Sequence, residues 1–93
     1  MSYSIEFEKR ALKEWKKLAH PIREQFKKKL VKVLEYPHIK SAQLHGHQYR
    51  YKIKLKSSGY RLVYEVNDNK LLLLVIAVGI RANNEVYQLA SKR

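Results

Sequence analysis

Five cations crowd one short stretch of this chain, Arg50, Lys52, Lys54, Lys56 and Arg61, with no acid between the first and the last. Amines and guanidiniums so gathered suit the binding of a polyanion: each brings donors to a phosphate, and no neighbour in sequence neutralises them. The bland alternative is a solvated strand whose lysines discourage edge pairing. Arg61 tips the balance toward a site, because it arrives from a second strand pattern and joins the same face. His38, His45 and His47 lie in a loop over residues 37–47, and histidine is a residue type used for metal binding and acid–base chemistry. Two histidines two residues apart, with no third ligand of suitable type nearby, make a weak zinc site, so no metal is expected.

Two strand patterns must hold those cations together. Tyr49, Tyr51, Ile53 and Leu55 alternate with Arg50, Lys52, Lys54 and Lys56, a period of two that separates an apolar face from a cationic one. Leu62, Tyr64 and Val66 alternate in the same way with Arg61, Val63 and Glu65. Between them runs Lys56-Ser57-Ser58-Gly59, where Gly59 adopts a positive φ cheaply. Both apolar sets share a face only if Tyr51 and Ile53 sit beside Tyr64 and Leu62, since a slip of one residue turns a set outward. In that register Leu55 faces Tyr60 and Lys54 faces Arg61, with Cβ atoms about 5 Å apart. Like charges so placed are destabilising, which points to a use for them. The register sends Tyr49, Tyr51 and Tyr64 into the core.

The rest of the chain supplies the layers around this pair. Tyr3, Ile5 and Phe7 alternate with Ser4 and Glu6 as a short first strand. Ala11, Leu12, Trp15 and Leu18 fall on one helical stripe, and after His20-Pro21 a second stripe carries Ile22, Phe26, Leu30, Val33 and Leu34. Residues 8–34 hold ten Lys or Arg against three Glu, a basic outer layer that adds non-specific attraction to RNA. Asn67-Asp68-Asn69 offers left-handed conformations for another tight turn. The unbroken apolar run over residues 71–78 reads as a strand covered on both faces in mid-sheet. Beyond Gly79, Arg81 falls in a link, and Asn83 or Asn84 caps a last helix with Val86, Leu89 and Ala90 on its apolar side and Tyr87 one position off it. So brief a terminal helix is expected to fray. The whole is an α+β fold, one domain over residues 1–93: an N-terminal strand and helical hairpin packed on a mainly antiparallel four-stranded twisted sheet, with a short C-terminal helix.

Composition narrows the partners. Net charge is +12 and the pI about 10.0, which favours nucleic acid, the ribosome, an anionic membrane or an acidic protein. Without Cys there are no disulfides and no thiolate chemistry. Glu6, Glu8, Lys9 and Arg10 interrupt any secretory apolar segment, and the run over residues 71–78 is far short of the ~20 residues that span a bilayer. A cytoplasmic protein that does not engage membrane is expected.

The chain resembles the RelE-type toxins of bacterial type II toxin–antitoxin systems. Ala11-Leu12-Lys13-Glu14-Trp15, Tyr51-Lys52-Ile53-Lys54-Leu55, Ser57-Ser58-Gly59-Tyr60-Arg61-Leu62-Val63-Tyr64, and Val78-Gly79 followed by Arg81 and Tyr87 carry the likeness, in order and over nearly the whole length. It implies a RelE-like microbial RNase fold and an endoribonuclease that cuts mRNA in the A site of the 70S ribosome, against 16S rRNA, and so inhibits translation. The family's functional positions match here as Lys52, Lys54, Arg61, Arg81 and Tyr87. Arg50, Lys56 and His45 are expected to add grip on RNA.

The chemistry the resemblance implies is metal-free attack of a ribose 2′-hydroxyl on the adjacent phosphate, with no cofactor. Lys54, helped by Lys52, takes the 2′-proton, and crowding by cations favours its neutral amine. Arg61 stabilises the phosphate; Arg81 protonates or electrostatically supports the leaving 5′-oxygen; Tyr87 stacks on a base or orients the 2′-hydroxyl. His45 stands where the family often has Arg, and Ile80, Ala82 and Asn83 surround Arg81 where other members carry more cations, which implies a weaker grip on mRNA. The family further implies a RelB-type antitoxin whose acidic segment wraps the basic groove, and operator DNA bound through that complex. Two readings compete: a gyrase-inhibiting toxin of the same fold, which generally lacks this cluster, and a non-catalytic RNA-binding module, which needs exposed aromatics to stack bases.

Overall fold

The computed structural model describes residues 2–80 and 85–93. Its elements follow in the order β1 (Ser4–Phe7), α1 (Lys9–Lys16), α2 (His20–Glu35), a single 3₁₀ turn at Lys40–Ala42, β2 (Arg50–Leu55), β3 (Tyr60–Asn67), β4 (Leu72–Ile80) and α3 (Glu85–Ser91). They build one four-stranded sheet ordered β1-β4-β3-β2, with β1 parallel to β4 and the other pairs antiparallel. Arg81 and the candidate caps Asn83 and Asn84 lie outside the described residues. No helix is long and apolar enough to cross a membrane among those described.

The register of the central hairpin is the one the apolar alternation demands: Tyr51 pairs with Tyr64, Ile53 with Leu62, Lys54 with Arg61 and Leu55 with Tyr60. Gly59 takes the positive φ of the turn, at 77°. Tyr51, Ile53, Leu55, Leu62, Tyr64 and Val66 are buried on one face, beneath the two long helices. Glu8 starts α1 by accepting the Ala11 amide at 3.3 Å, and Ala11 is buried. Pro21 sits in the first turn of α2, which buries Phe26, Leu30 and Val33 at spacings of four and three. Trp15 bridges the layers, 5.3 Å from the Phe7 ring and 6.1 Å from that of Phe26.

The other face has its own small core of Val63, Ile76 and Ala77 under Val86 and Ala90 of α3. A bulge explains how β4 serves both. Val63 pairs with Ala77 but Tyr64 with Val75, so Ile76 is the extra residue and it and Ala77 both reach the α3 side. An apolar run without alternation is the consequence.

Four expectations change. Tyr49 precedes β2 and is half exposed, because the strand begins only at Arg50. Leu89 points outward from α3, at 37 % exposure. The left-handed residue of the β3–β4 turn is Leu71, φ 50°, while Asn67 instead accepts the Lys70 amide at 3.1 Å. Fraying of α3 is opposed by Arg93, whose guanidinium reaches both carboxylate oxygens of Glu14 at 2.9 Å and the Ile76 carbonyl at 2.9 Å.

His38 is taken up by structure. Its Nε2 meets Asp68 at 2.7 Å and its Nδ1 the Tyr51 hydroxyl at 2.8 Å, and Tyr3 donates to the same Asp68 at 2.6 Å. The Tyr3 hydroxyl and then the His38 ring hold the Asp68 carboxyl below the usual carboxylate range. A depressed folded value means stability present above the unfolded carboxyl pKa of about 4 and lost as pH falls through the lower one. Asp68→Asn is therefore expected to flatten the fall of Tm below pH 4, and an unchanged acid limb in melts of both proteins would refute the network.

Candidate active site

Strand β2 carries Arg50, Lys52 and Lys54 on the face toward α3, and β3 brings Arg61 beside them. The Arg50 carbonyl points away from β3, accepting the Leu44 amide at 2.8 Å, and that of Tyr49 points toward it, accepting the Val66 amide at 2.9 Å. By alternation, Lys54 and Arg61 form a pair without mutual backbone bonds, the kind whose Cα atoms approach to about 4.5 Å. Two like charges are thus set as close as a sheet allows. Arg61 is half-buried; its Nη1 donates to the Tyr60 carbonyl at 3.1 Å, while its Nε, though buried, has no hydrogen-bond partner among the described residues.

Helix α3 closes one side. The Lys52 ammonium lies 5.8 Å from the Tyr87 ring centroid, a cation–π contact that fixes the ring over the cation row. The Tyr87 hydroxyl is also buried without a hydrogen-bond partner among the described residues. Arg61 Nε and Tyr87 Oη, on neighbouring elements, are thus two buried polar groups with no partner among the described residues.

Lys52 stands between two concave surfaces. One, about 610 Å³, is lined by Lys40, Gln43, His45, His47, Gln48 and Lys52. The other, about 630 Å³, runs between α2 and the open side of β2, where Lys29 and Lys32 meet Lys52, Lys54 and Lys56 over Val33 and Ile39. Among the described residues, neither is lined by an acid. A third hollow, at Tyr49, Glu65 and Asp68, carries two carboxylates at the far end of β3 and does not suit phosphate.

The structure thus brings together Lys52, Lys54, Arg61 and Tyr87, puts exposed His45 and Lys56 at the two flanks, and leaves Arg81 outside the described residues. Arg50, expected to grip RNA, has a side chain only 14 % exposed and engaged with Glu65 at 3.1 Å and the Ala90 carbonyl at 2.5 Å. Lys29, Lys32 and Lys40 were not among the expected site residues. The signal for Lys29 and Lys32 was a three-residue spacing beside Val33, which a basic helix shares with many solvated ones, and Lys40 stands in the 3₁₀ turn with no pattern around it. No cluster of three metal-ligating side chains occurs among the described residues.

Residues 5–85 match the family model described as ParE toxin of type II toxin–antitoxin system, parDE. The chain is 57 % identical over 93 residues to the mRNA interferase toxin RelE of Escherichia coli strain K12, covering all of this chain and 98 % of that one. A substituted form of E. coli toxin RelE in the free state superposes with a TM-score of 0.92 at 56 % identity, over 100 % of this chain and 98 % of that one. A similar form in complex with an antitoxin RelBc peptide gives 0.85 at 56 % identity, with the same coverage.

Proposed function

We infer the function of this chain from its family: it belongs to the ParE toxin family of type II toxin–antitoxin systems, and its full-length relatives include RelE mRNA interferases. It is an endoribonuclease toxin that cuts mRNA in the ribosomal A site. One observation carries the catalytic part of this reading: Lys54 directly opposite Arg61, with Tyr87 held over Lys52.

In the proposed step the ribose 2′-oxygen attacks the adjacent phosphorus as its proton passes to the neutral Lys54 amine. The bond to the 5′-oxygen breaks and that oxygen takes a proton from Arg81 or from water, giving a 2′,3′-cyclic phosphate and a 5′-hydroxyl. Arg61 faces the non-bridging oxygens, where charge grows in a phosphorane-like transition state, and its fork suits two of them. Lys52 adds positive potential and Tyr87 orients the ribose or stacks on a base. Arg81 supports the departing oxygen. Lys29, Lys32, Lys40, Lys56 and His45 line the flanking concavities and grip the strand and 16S rRNA, a sequence-independent term weakened by salt.

The relative solved with an antitoxin peptide supports a RelB-type antitoxin for this chain. An acidic segment on so basic a surface gives salt-sensitive binding. Operator DNA is reached through that complex, and the site of action is the cytoplasm.

Primer extension on translated mRNA, with purified protein and ribosomes, tests the assignment. Cuts in codon phase are expected, and Arg81→Ala should abolish them with far-UV CD unchanged. Retained cutting in that variant removes Arg81 from the mechanism. Because the matching family model bears the ParE name, DNA supercoiling is assayed in parallel; inhibited gyrase with intact mRNA would install the gyrase reading instead.

A further inference from the structure

We infer that Arg50 is a positioning residue for Tyr87, an inference that rests on the nuclease reading above. Arg50 and Lys52 are two apart on β2, and both project toward α3. Arg50 Nη1 bonds the carbonyl of Ala90, and the Lys52 ammonium sits beneath the ring of Tyr87, so the strand holds the helix at two points in register. Two strand residues span about 6.7 Å and three helical residues about 4.5 Å, lengths close enough for both contacts when helix and strand run in opposite senses.

Chemistry at each end of Arg50 explains why the residue is an arginine. Ala90 lies in the last turn of α3, where carbonyls lack intrahelical donors and the helix dipole is negative; a cation there is favourable. Its carbonyl also accepts the Arg93 amide at 3.1 Å. On the other side, Arg50 Nε meets Glu65, the residue directly across the hairpin. The carboxylate pairs with Arg50 and directs its fork at the helix. A guanidinium spent in this way, 14 % exposed, is withdrawn from RNA and fixes the height of Tyr87 above Lys52.

The experiment compares wild type, Arg50→Ala, Arg50→Lys, Tyr87→Ala and the double variant Arg50→Ala/Tyr87→Ala in single-turnover ribosomal cleavage. A misplacement of about an ångström costs on the order of 10²-fold in rate. Arg50→Ala is therefore expected to lower the cleavage rate some 10- to 100-fold with half-saturation by ribosomes unchanged. Lysine, with one point of attachment, should restore part of the loss. In the Tyr87→Ala background the same change should cost less than about threefold, because the group it positions is gone.

A raised half-saturation with a shallower salt dependence would make Arg50 an RNA contact and overturn the inference. An equal loss with and without Tyr87 would overturn it too. If wild type cuts no mRNA, the nuclease reading fails by itself, and the placement is still tested by NMR: the Tyr87 ring resonances should shift in Arg50→Ala, and unmoved resonances would refute the link.

Discussion

Arg61→Ala is expected to lower ribosomal mRNA cleavage by about 10³-fold, the usual cost of removing a preorganised donor aimed at developing charge, while leaving Tm equal or higher. The second half follows from the register. Arg61 directly opposes Lys54, and side chains of like charge so placed destabilise a strand pair, so the folded state loses little when this one goes. Activity and stability then move in opposite directions, as they do at groups kept for function. Arg61→Lys should fall between, near 10²-fold down, since it keeps charge but loses the planar fork. Primer extension beside thermal melts decides the matter. Cutting within tenfold of wild type, or a clear drop in Tm, would show that Arg61 is a structural residue.

Glu14→Ala should be among the most damaging changes outside the apolar core, at about 3 kcal/mol, or roughly 10–20 °C in Tm for a domain of this size. Glu14 stands on α1, far from the cation row in sequence, yet it accepts the Val78 amide of β4 at 3.0 Å and both terminal nitrogens of Arg93 at 2.9 Å. Its removal leaves a guanidinium only 6 % exposed short of its main partner and an amide short of its acceptor. Arg93→Ala should cost less, because Glu14 keeps Val78 and is 24 % exposed to water. The double variant should be milder than the sum of the two. Denaturant melts of the three variants test this ordering, and a costlier Arg93→Ala would contradict it. Since α3 carries Tyr87, loosening its far end should also weaken cleavage at temperatures well below the melt.

Both results concern charges that fold and function share unequally. Lys54 and Arg61 are set directly opposite one another on the face that carries the site, and Arg50 and Arg93 each bond a carboxylate and a carbonyl and hold α3. Position in the sequence does not separate the two kinds.

What the amino acids determined alone were the features with a short repeat. The alternation around Tyr51 and Leu62 admits one register that buries both apolar sets, and that register by itself opposes Lys54 to Arg61. The helical stripes of α1 and α2 and the mid-sheet place of β4 rest on equally local patterns. Tertiary structure decided whatever depends on a partner distant in the chain. Arg50 looked like one more cation of the row until Glu65 and Ala90 closed on it; Arg93 looked like a frayed end until Glu14 met it; Lys29 and Lys32 looked like a solvated helix face until α2 came to lie along β2. A side chain's period in sequence tells which way it points, but the energy of a charge is set by what else is brought within a few ångströms, and only the folded chain brings it.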